Sequence, residues 1–423
     1  MNPRGVLLES FAVAVKAADP LHIVPQHLPK PPKGRTLIVG AGKAAAAMAQ
    51  AVESSWPADA QLDGLVVTRY GHRLPTGRIK VVEAGHPIPD NQGEQASRDI
   101  MAMIKALTPD DLLLCLFSGG GSSLLALPAN GISLQELGAV TYQLLRCGAS
   151  IQEINTVRKH LSAIQGGRLA AICKAPVLAL IISDVAGDAA THIASGPCAP
   201  DPTTFADALA VLNHYDLDVP PAVRKILCAG RDGVINETPK PGSAIFTQVE
   251  NRIIASAHDS LVAAAHYFRN LGITPLILGD TVTGEAREIA KSYAAFAKEI
   301  RRYPHWLKAP MALLSGGETT VTIKGNGRGG RNAEFLLSLL IELDGLNEVY
   351  ALACDTDGLD GSENNAGALI TPDSPARAGK LRLNGTAFLD NNDAYTFFQQ
   401  LNDLVITGAT YTNVNDYRAI LIL

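Results

Sequence analysis

The stretch Leu116–Leu124, with the sequence LFSGGGSSL, decides the fold of this chain, and a second stretch, Leu314–Thr320 with LSGGETT, repeats its form. Each stretch begins at the end of an apolar run that has the length and composition of a buried β-strand. Glycines follow in each stretch, and they let backbone N–H groups approach a bound anion closely. Two strand-to-glycine corners of this kind predict two cradles for phosphate or carboxylate groups.

Similar apolar runs recur along the chain, with helical stretches between them. In the first two thirds of the chain, the predicted strands are residues 36–40, 65–68, 80–83, 112–117, 177–183, 252–255 and 273–278. This alternation predicts an α/β protein with a largely parallel sheet and helices on both faces. The helical pattern stops near Pro304, and a new series begins at Met311. The sequence therefore predicts a larger domain over residues 1–304, a smaller α/β domain over residues 305–423, and a ligand in the cleft between them.

The composition argues against several classes of protein. With 423 residues, 47% hydrophobic and 18% charged, the chain can bury a large core. Its formal net charge of −5 gives no broad attraction to nucleic acid or to an anionic membrane. The six cysteines are scattered, which is typical of reduced thiols, and no apolar run approaches the roughly 20 residues that span a bilayer. We expect a cytoplasmic protein that acts on a small molecule, with neither nucleic acid nor a membrane as partner.

The segment Val39–Ala45, VGAGKAA, nearly matches the G-x-G-x-x-G/A fingerprint of dinucleotide-binding proteins. The next strand, however, ends in Thr68 and Arg69 instead of the acidic residue that would hold a ribose hydroxyl, although an arginine could suit a 2′-phosphate. Lys43, near the start of a helix, would favour a phosphate or a phosphoryl group in transit. Three interpretations stay open: a phosphoryl site, a dinucleotide site, or close packing of strand and helix.

The two glycine corners are candidate sites for a nucleotide. In the first, backbone amides and a serine hydroxyl could wrap phosphates, whereas a permissive turn with a serine helix cap is the plainer interpretation. The candidate cofactor-binding residues are Gly119, Gly120, Gly121, Ser122, Ser123, Gly316, Gly317 and Glu318.

Carboxylates follow two of the apolar runs. Asp184 and Asp188 come after a buried strand and could hold Mg²⁺ or accept a hydroxyl proton, although Asp184 could instead cap the next segment. Asp355 and Asp357 follow a later strand and could bind Mg²⁺ or orient Arg331, with ordinary Asx-turns as the alternative.

Several basic side chains are candidates for holding an anionic ligand. Arg328 and Arg331 precede a predicted helix and suit a phosphoryl or carboxylate group, unless they are solvated loop residues. His86, fixed between rigid turns, could touch the substrate or serve as a structural imidazole. Arg158 could hold a substrate carboxylate, although surface solvation explains most such runs of cations.

Taken together, these motifs resemble the class II glycerate 2-kinase family, whose C-terminal part is called the MOFRL domain. The matching segments appear in family order: residues 39–43, 85–90, 118–123, 155–158, 183–188, 195–197, 315–319, 329–332, 355–358 and 412–415. The resemblance implies a larger Rossmann-like doubly wound N-terminal domain and a smaller α/β C-terminal domain. One departure is the segment Thr407–Thr412, where Ala409 and Tyr411 replace an expected proline and glycine.

The resemblance also implies an activity, namely transfer of the ATP γ-phosphoryl group to the 2-hydroxyl of D-glycerate with Mg²⁺. It places Lys43, Asp184, Asp188, Arg331 and Asp357 around the transferred group. Some relatives are named hydroxypyruvate reductases, so an NAD(P)H-dependent reductase is one alternative, and a non-catalytic protein that binds a sugar acid or a nucleotide is another. A homodimer is compatible with the sequence.

Overall fold

A computed structural model describes residues 2–303 and 307–423 of the chain. The strands are β1 (Thr36–Ala41), β2 (Leu62–Arg69), β3 (Ile79–Ala84), β4 (Leu112–Phe117), β5 (Val177–Ile182), β6 (Val249–Ala255), β7 (Thr274–Gly279), β8 (Gly284–Glu285), β9 (Met311–Ser315), β10 (Thr319–Thr320), β11 (Val349–Asp355), β12 (Gly367–Ile370), β13 (Leu404–Val405) and β14 (Asp416–Ile422). The helices are α1 (Pro3–Ala17), α2 (Pro20–Ile23), α3 (Ala45–Ser55), α4 (Asn91–Lys105), α5 (Gly121–Leu124), α6 (Leu134–Arg146), α7 (Ile151–His160), α8 (Arg168–Ala171), α9 (Phe205–His214), α10 (Pro221–Arg231), α11 (Ala257–Asn270), α12 (Ala286–Arg302), α13 (Arg331–Leu343), α14 (Ser374–Lys380), α15 (Gly385–Asp390) and α16 (Ala394–Leu401).

The chain divides into two compact units. The central unit is Pro20–Ile254, and the terminal unit joins the N-terminal segment that ends at Asp19 with Ala255–Leu423. The predicted boundary at Pro304 and His305 lies outside the described residues. The division by contacts differs from that boundary, because α11, β7 and α12 pack into the terminal unit.

The sheet of the central unit has the strand order β3-β2-β1-β4-β5-β6. Its core pairs are parallel: β1 with β2 and β4, β2 with β3, and β4 with β5. Every residue of β1 and β5 is buried, which explains why these strands are nearly continuous apolar runs. This is the Rossmann strand order, in which the direction of winding reverses between β1 and β4. The fold thus confirms a doubly wound α/β architecture and marks the carboxyl ends of β1 and β4 as the expected ligand site.

The terminal unit is built on a mixed sheet with the order β13-β12-β11-β14-β9-β7. Strand β14 runs antiparallel to β11 and β9, whereas β7 is parallel to β9. Alternate residues of β9 enter two different cores. Met311 and Leu313 pack with α12, α13 and α16, while Ala312 and Leu314 pack with α1 and α11. Helices therefore cover both faces of this sheet, and both chain ends contribute to it.

Among residues 2–303 and 307–423, no helix is both long enough and apolar enough to cross a membrane.

Candidate functional site

The loops after β1 and β4 meet at the switch point of the central sheet. The backbone N–H of Lys43 donates to Gly119 O at 2.9 Å, and that of Ala44 donates to Ser118 Oγ at 3.0 Å. Gly42 has a φ of 145°, and a Cβ there would collide with Ser118 Oγ. The glycines of the segment Val39–Ala45 therefore serve in part to bring two loops into close contact. This contact places Lys43 directly beside the glycine corner.

Gly120 brings three of the predicted site residues together. Its φ of 79° lies in the left-handed region, where glycine is the favoured residue. A Cβ at Gly120 would lie 2.8 Å from His86 Nε2 and 3.5 Å from Lys43 Cγ. His86 and the stem of Lys43 thus both lie against the glycine corner, as a shared ligand site requires.

The charges around this corner are predominantly positive. Burial, followed by Lys43 and Arg69, lowers the pKa of His86 to about 4. Burial and then Arg69 also lower the pKa of His72 to about 4, although His72 hydrogen-bonds to the Lys43 backbone and lies near Glu83. Both imidazoles are therefore uncharged at neutral pH, and the positive charge resides on Lys43 and Arg69. This arrangement suits an anionic ligand.

Arg69 and His72 were not among the predicted site residues. Arg69 is the last residue of β2, which pairs with β1 on the side away from β4. Its position at a carboxyl strand end was the available signal, but only the sheet order shows that this end lies next to Lys43.

The predicted residue Arg158 connects to the glycine corner through a chain of hydrogen bonds. Its NH1 group donates to Asn155 Oδ1 at 3.3 Å, and Ser195 Oγ donates to the same oxygen at 3.0 Å. Ser195 Oγ lies 2.9 Å from Ser122 Oγ. Burial lowers the pKa of Arg158 to about 10. Within the described part of the chain no carboxylate forms an ion pair with Arg158, so a desolvated cation is available to a ligand.

Asp184 and Asp188 follow β5, whose carboxyl end adjoins that of β4. Both side chains are half-buried, and Asp188 has a left-handed φ of 53°. Among residues 2–303 and 307–423, no group of three or more His, Cys, Asp or Glu side chains could hold a metal ion. This fits Mg²⁺ only in the mode in which one or two carboxylates assist substrate phosphates and water.

In the terminal unit, Arg331 forms ion pairs with three carboxylates. Its Nε donates to Asp416 at 2.9 Å, its NH1 group to Glu318 at 2.9 Å, and its NH2 group to Asp355 at 2.8 Å. Burial alone would lower the pKa of Arg331, but Asp416, Asp355 and Glu318 outweigh burial and raise it well above its usual value. The guanidinium is therefore held by three carboxylates of the protein, and the ligand contact that the sequence predicts for Arg331 stays a prediction.

The second glycine corner is also packed tightly within the terminal unit. The Gly316 N–H donates to Gly279 O at 2.9 Å, and its carbonyl accepts from Arg418 at 3.1 Å. A Cβ at Gly317, which has a φ of 100°, would collide with the backbone of Val282. Close approach of two loops is thus one reason for glycine at these positions, and their predicted contact with a nucleotide stays a prediction.

The remaining candidates of the terminal unit lie in turns and in a cavity. Asp355 Oδ1 accepts from the backbone of Asp357, and Asp357 Oδ1 accepts from the backbone of Leu359 at 2.9 Å, which is Asx-turn geometry. Arg328 pairs with Glu363 and stacks over the ring of Tyr395 at 4.5 Å. Arg328 and Arg331 both line a cavity of about 360 Å³ inside this unit.

The Rossmann-type sheet defines a doubly wound α/β protein, and its cationic glycine corner is the candidate anion site at the switch point. Residues 6–228 match a family described as a domain of unknown function, DUF4147, and residues 311–416 match the MOFRL family. This chain belongs to the MOFRL family.

Relatives of this chain carry two kinds of name. D-glycerate 2-kinase of Thermotoga maritima is 38% identical over 98% of this chain and 97% of its own. A crystal structure of glycerate kinase from the same organism superposes with a TM-score of 0.88 at 37% identity, covering 99% of each chain. An Agrobacterium vitis protein, provisionally named a hydroxypyruvate reductase, is 49% identical over 100% of this chain and 95% of its own.

Proposed function

We propose that this chain is a glycerate 2-kinase, which transfers the γ-phosphoryl group of ATP to the 2-hydroxyl group of D-glycerate. The observation that carries the proposal is the switch-point corner, where Lys43 and Arg69 concentrate positive charge around backbone that glycine keeps open. Phosphoryl transfer needs alignment and fixed positive charge more than it needs covalent chemistry, and this corner supplies both. The names of the full-length relatives support the same activity.

The side chains of the central unit divide the work. Lys43 offsets the charge that spreads over the moving phosphoryl group, and the Gly119–Gly121 backbone lets phosphate oxygens approach. Asp184 or Asp188 holds Mg²⁺ or orients the acceptor hydroxyl, and Arg158 binds the substrate carboxylate. Asp184 or Asp188 would hold the Mg²⁺ ion, which would offset the negative charge of the phosphates. Arg331 acts indirectly in this scheme, by fixing Glu318 and Asp355.

One assay separates the kinase from a reductase. The protein is incubated with D-glycerate and Mg-ATP, with enolase coupling as the readout, and then with hydroxypyruvate and NADH. Direct enolase coupling identifies the 2-phosphate, because a 3-phosphate needs a mutase first. Oxidation of NADH without any ATP-dependent product would replace the proposal by the reductase, and ligand binding without turnover would replace it by a binding protein.

Lys43→Ala should lower kcat about 100- to 1000-fold, which is the usual cost of removing one fixed electrostatic group from a transition state. The urea unfolding midpoint should stay close to that of the wild type. Lys80→Ala is the matched control, because Lys80 is an exposed lysine on β3 of the same unit. Near-normal turnover of the Lys43 variant would contradict the assignment of Lys43.

Arg331→Ala is expected to behave differently from Lys43→Ala. It breaks the ion pairs of Arg331 with the buried carboxylates of Asp355 and Asp416, although Asp416 keeps its pair with Arg418, and breaking a buried pair costs about 3–5 kcal/mol. Its loss of turnover should therefore come with a lower free energy of unfolding, measured in the same urea series.

A further inference from the structure

Three side chains link Arg158 to the glycine corner by hydrogen bonds, and the proposed mechanism gives none of them a role. They are Asn155 on α7, Ser195 in the loop before α9, and Ser122 at the corner. Asn155 and Ser195 are buried, whereas Ser122 is half-buried. Their hydrogen bonds fix the direction in which each hydroxyl proton points.

The direction is set by Asn155. Its Nδ2 group donates to the carbonyl of His192 at 3.3 Å, so Oδ1 faces Ser195 and Arg158. Because Oδ1 can only accept, Ser195 spends its single hydroxyl proton on it at 3.0 Å. The 2.9 Å contact between Ser195 Oγ and Ser122 Oγ must then use the proton of Ser122. Ser122 consequently offers lone pairs, and no proton, to any further partner.

The backbone holds Ser195 firmly in this position. Ala194 and Ser195 have left-handed φ values of 50° and 58°, which cost free energy in residues that have a Cβ. The N–H of Gly166 donates to Ser195 O at 3.0 Å and keeps the loop in place. Gln165 Nε2 likewise donates to the Ser122 carbonyl at 2.8 Å. The hydroxyl pair is thus fixed from both sides.

A hydroxyl group that can only accept a hydrogen bond does not bind a phosphate oxygen, because that oxygen is an acceptor as well. It matches a hydroxyl group of the ligand. The chain of hydrogen bonds ends at an amide oxygen that already accepts from Arg158, so it cannot take up a proton either. Ser122 therefore does not accept a hydrogen bond from the alcohol that is phosphorylated, because that alcohol must lose its proton. Ser122 suits an alcohol that keeps its proton.

The geometry points to Ser122 as a specificity-determining residue that accepts a hydrogen bond from the substrate hydroxyl that is not phosphorylated. Asn155 and Ser195 are positioning residues that hold the Ser122 proton inward. This inference rests on the proposed function, since it deepens the substrate assignment to a hydroxy acid with a second hydroxyl group. It also differs from the expectation that Ser122 donates to nucleotide phosphates.

The test compares D-glycerate with D-lactate, which lacks only the 3-hydroxyl group. Binding of each is measured by calorimetry, and KM and kcat by coupled assay. The wild type should bind D-glycerate about 10-fold more tightly, because an acceptor left without its partner costs that much. Ser122→Ala should bring the ratio close to 1 by raising KM for D-glycerate. Ser122→Thr, which retains the hydroxyl, should restore the preference.

Two further variants separate positioning from mere structure. Ser195→Ala removes the acceptor for the Ser122 proton. It should reduce the preference for D-glycerate over D-lactate, while the urea unfolding midpoint stays close to that of the wild type. Thr156→Ala is the matched control on α7, because the Thr156 hydroxyl donates to Gln152 O of its own helix. The control should keep the wild-type preference.

The outcomes distinguish this inference from the proposed function. If Ser122→Ala keeps the wild-type preference, or if it raises KM for Mg-ATP instead, the assignment of Ser122 is overturned. If the wild type binds D-glycerate without turnover, the kinase proposal fails, and the calorimetric ratio still decides the role of Ser122. Absence of D-glycerate binding to the wild type would overturn both.

Discussion

His86 lies against Gly120 and close to Lys43, and this surrounding should keep its imidazole neutral. Burial first, and then the cations Lys43 and Arg69, lower its pKa to about 4. We predict an NMR titration midpoint of the His86 ring near 4, and a rise of that pKa in Lys43→Ala. The unfolded chain binds a proton near pH 6.5, so this histidine makes the folded state less stable as pH falls from about 6.5 to about 4. A midpoint near 6.5 in the wild type would contradict the cationic cluster.

At the scale of residues, local signals in the sequence located Lys43, His86 and the glycine corner, because each of them follows its own strand. Pairings between distant residues could not be predicted in the same way. The three carboxylates that pair with Arg331 lie 13, 24 and 85 residues away from it in the sequence, and no local pattern indicates that they meet there. The charge of a residue shows that it can pair with an anionic group, but only the fold shows which anionic groups lie next to it.

Helix α13 begins on a buried carboxylate, which gives this element its own dependence on pH. Asp360 accepts from the N–H groups of Asn332 at 3.0 Å and Ala333 at 2.8 Å. Burial nevertheless dominates, and it raises the pKa of Asp360 to about 7. Asp360 ionises near 3.9 in the unfolded chain, so the folded protein holds an extra proton between about pH 4 and 7. Its contribution to the free energy of unfolding therefore falls as pH rises through this window.

The variant Asp360→Asn isolates this effect. It should be less stable than the wild type by about 1–3 kcal/mol at pH 5, since an amide cannot accept both N–H groups. The stability gap should narrow as pH rises to 7, because only the wild type has the titrating group. Urea unfolding at pH 5, 6 and 7 measures the gap. Parallel pH curves for the two proteins would show that Asp360 does not titrate in this range.

At the scale of elements, the sequence predicted β4 with its observed bounds, and the structure has Asp90 as the cap of α4. The Asp90 side chain accepts from Gly93 N at 3.0 Å. These features depend on neighbours within a few residues, so local patterns are sufficient. The strand order that creates the switch point depends on pairing between β1 and β4, some 70 residues apart, and it was available only through resemblance to a family.

The whole molecule divides in a way that no local pattern indicates, because the terminal unit takes α1 from one chain end and α11 to β14 from the other. Leu7 and Phe11 of α1 share a core with Phe268 of α11 and with Tyr417 of β14. Tyr417 also donates a hydrogen bond to Ser10 at 2.9 Å. A break in helical periodicity near Pro304 indicates where one element ends, but it does not indicate which sheet the preceding elements join.

A fragment of residues 305–423 should therefore not fold cooperatively. It lacks β7, the parallel partner of β9, and the helices α1, α11 and α12 that cover both faces of the sheet. Residues 255–423 should regain a urea unfolding transition, and adding the peptide of residues 2–19 should raise its midpoint, because burial of side chains such as Leu7 and Phe11 stabilises by about 1.5–3 kcal/mol each. The fragment of residues 20–254 is the control and should unfold cooperatively by itself. A sharp transition for residues 305–423 alone would instead place the boundary where the sequence pattern breaks.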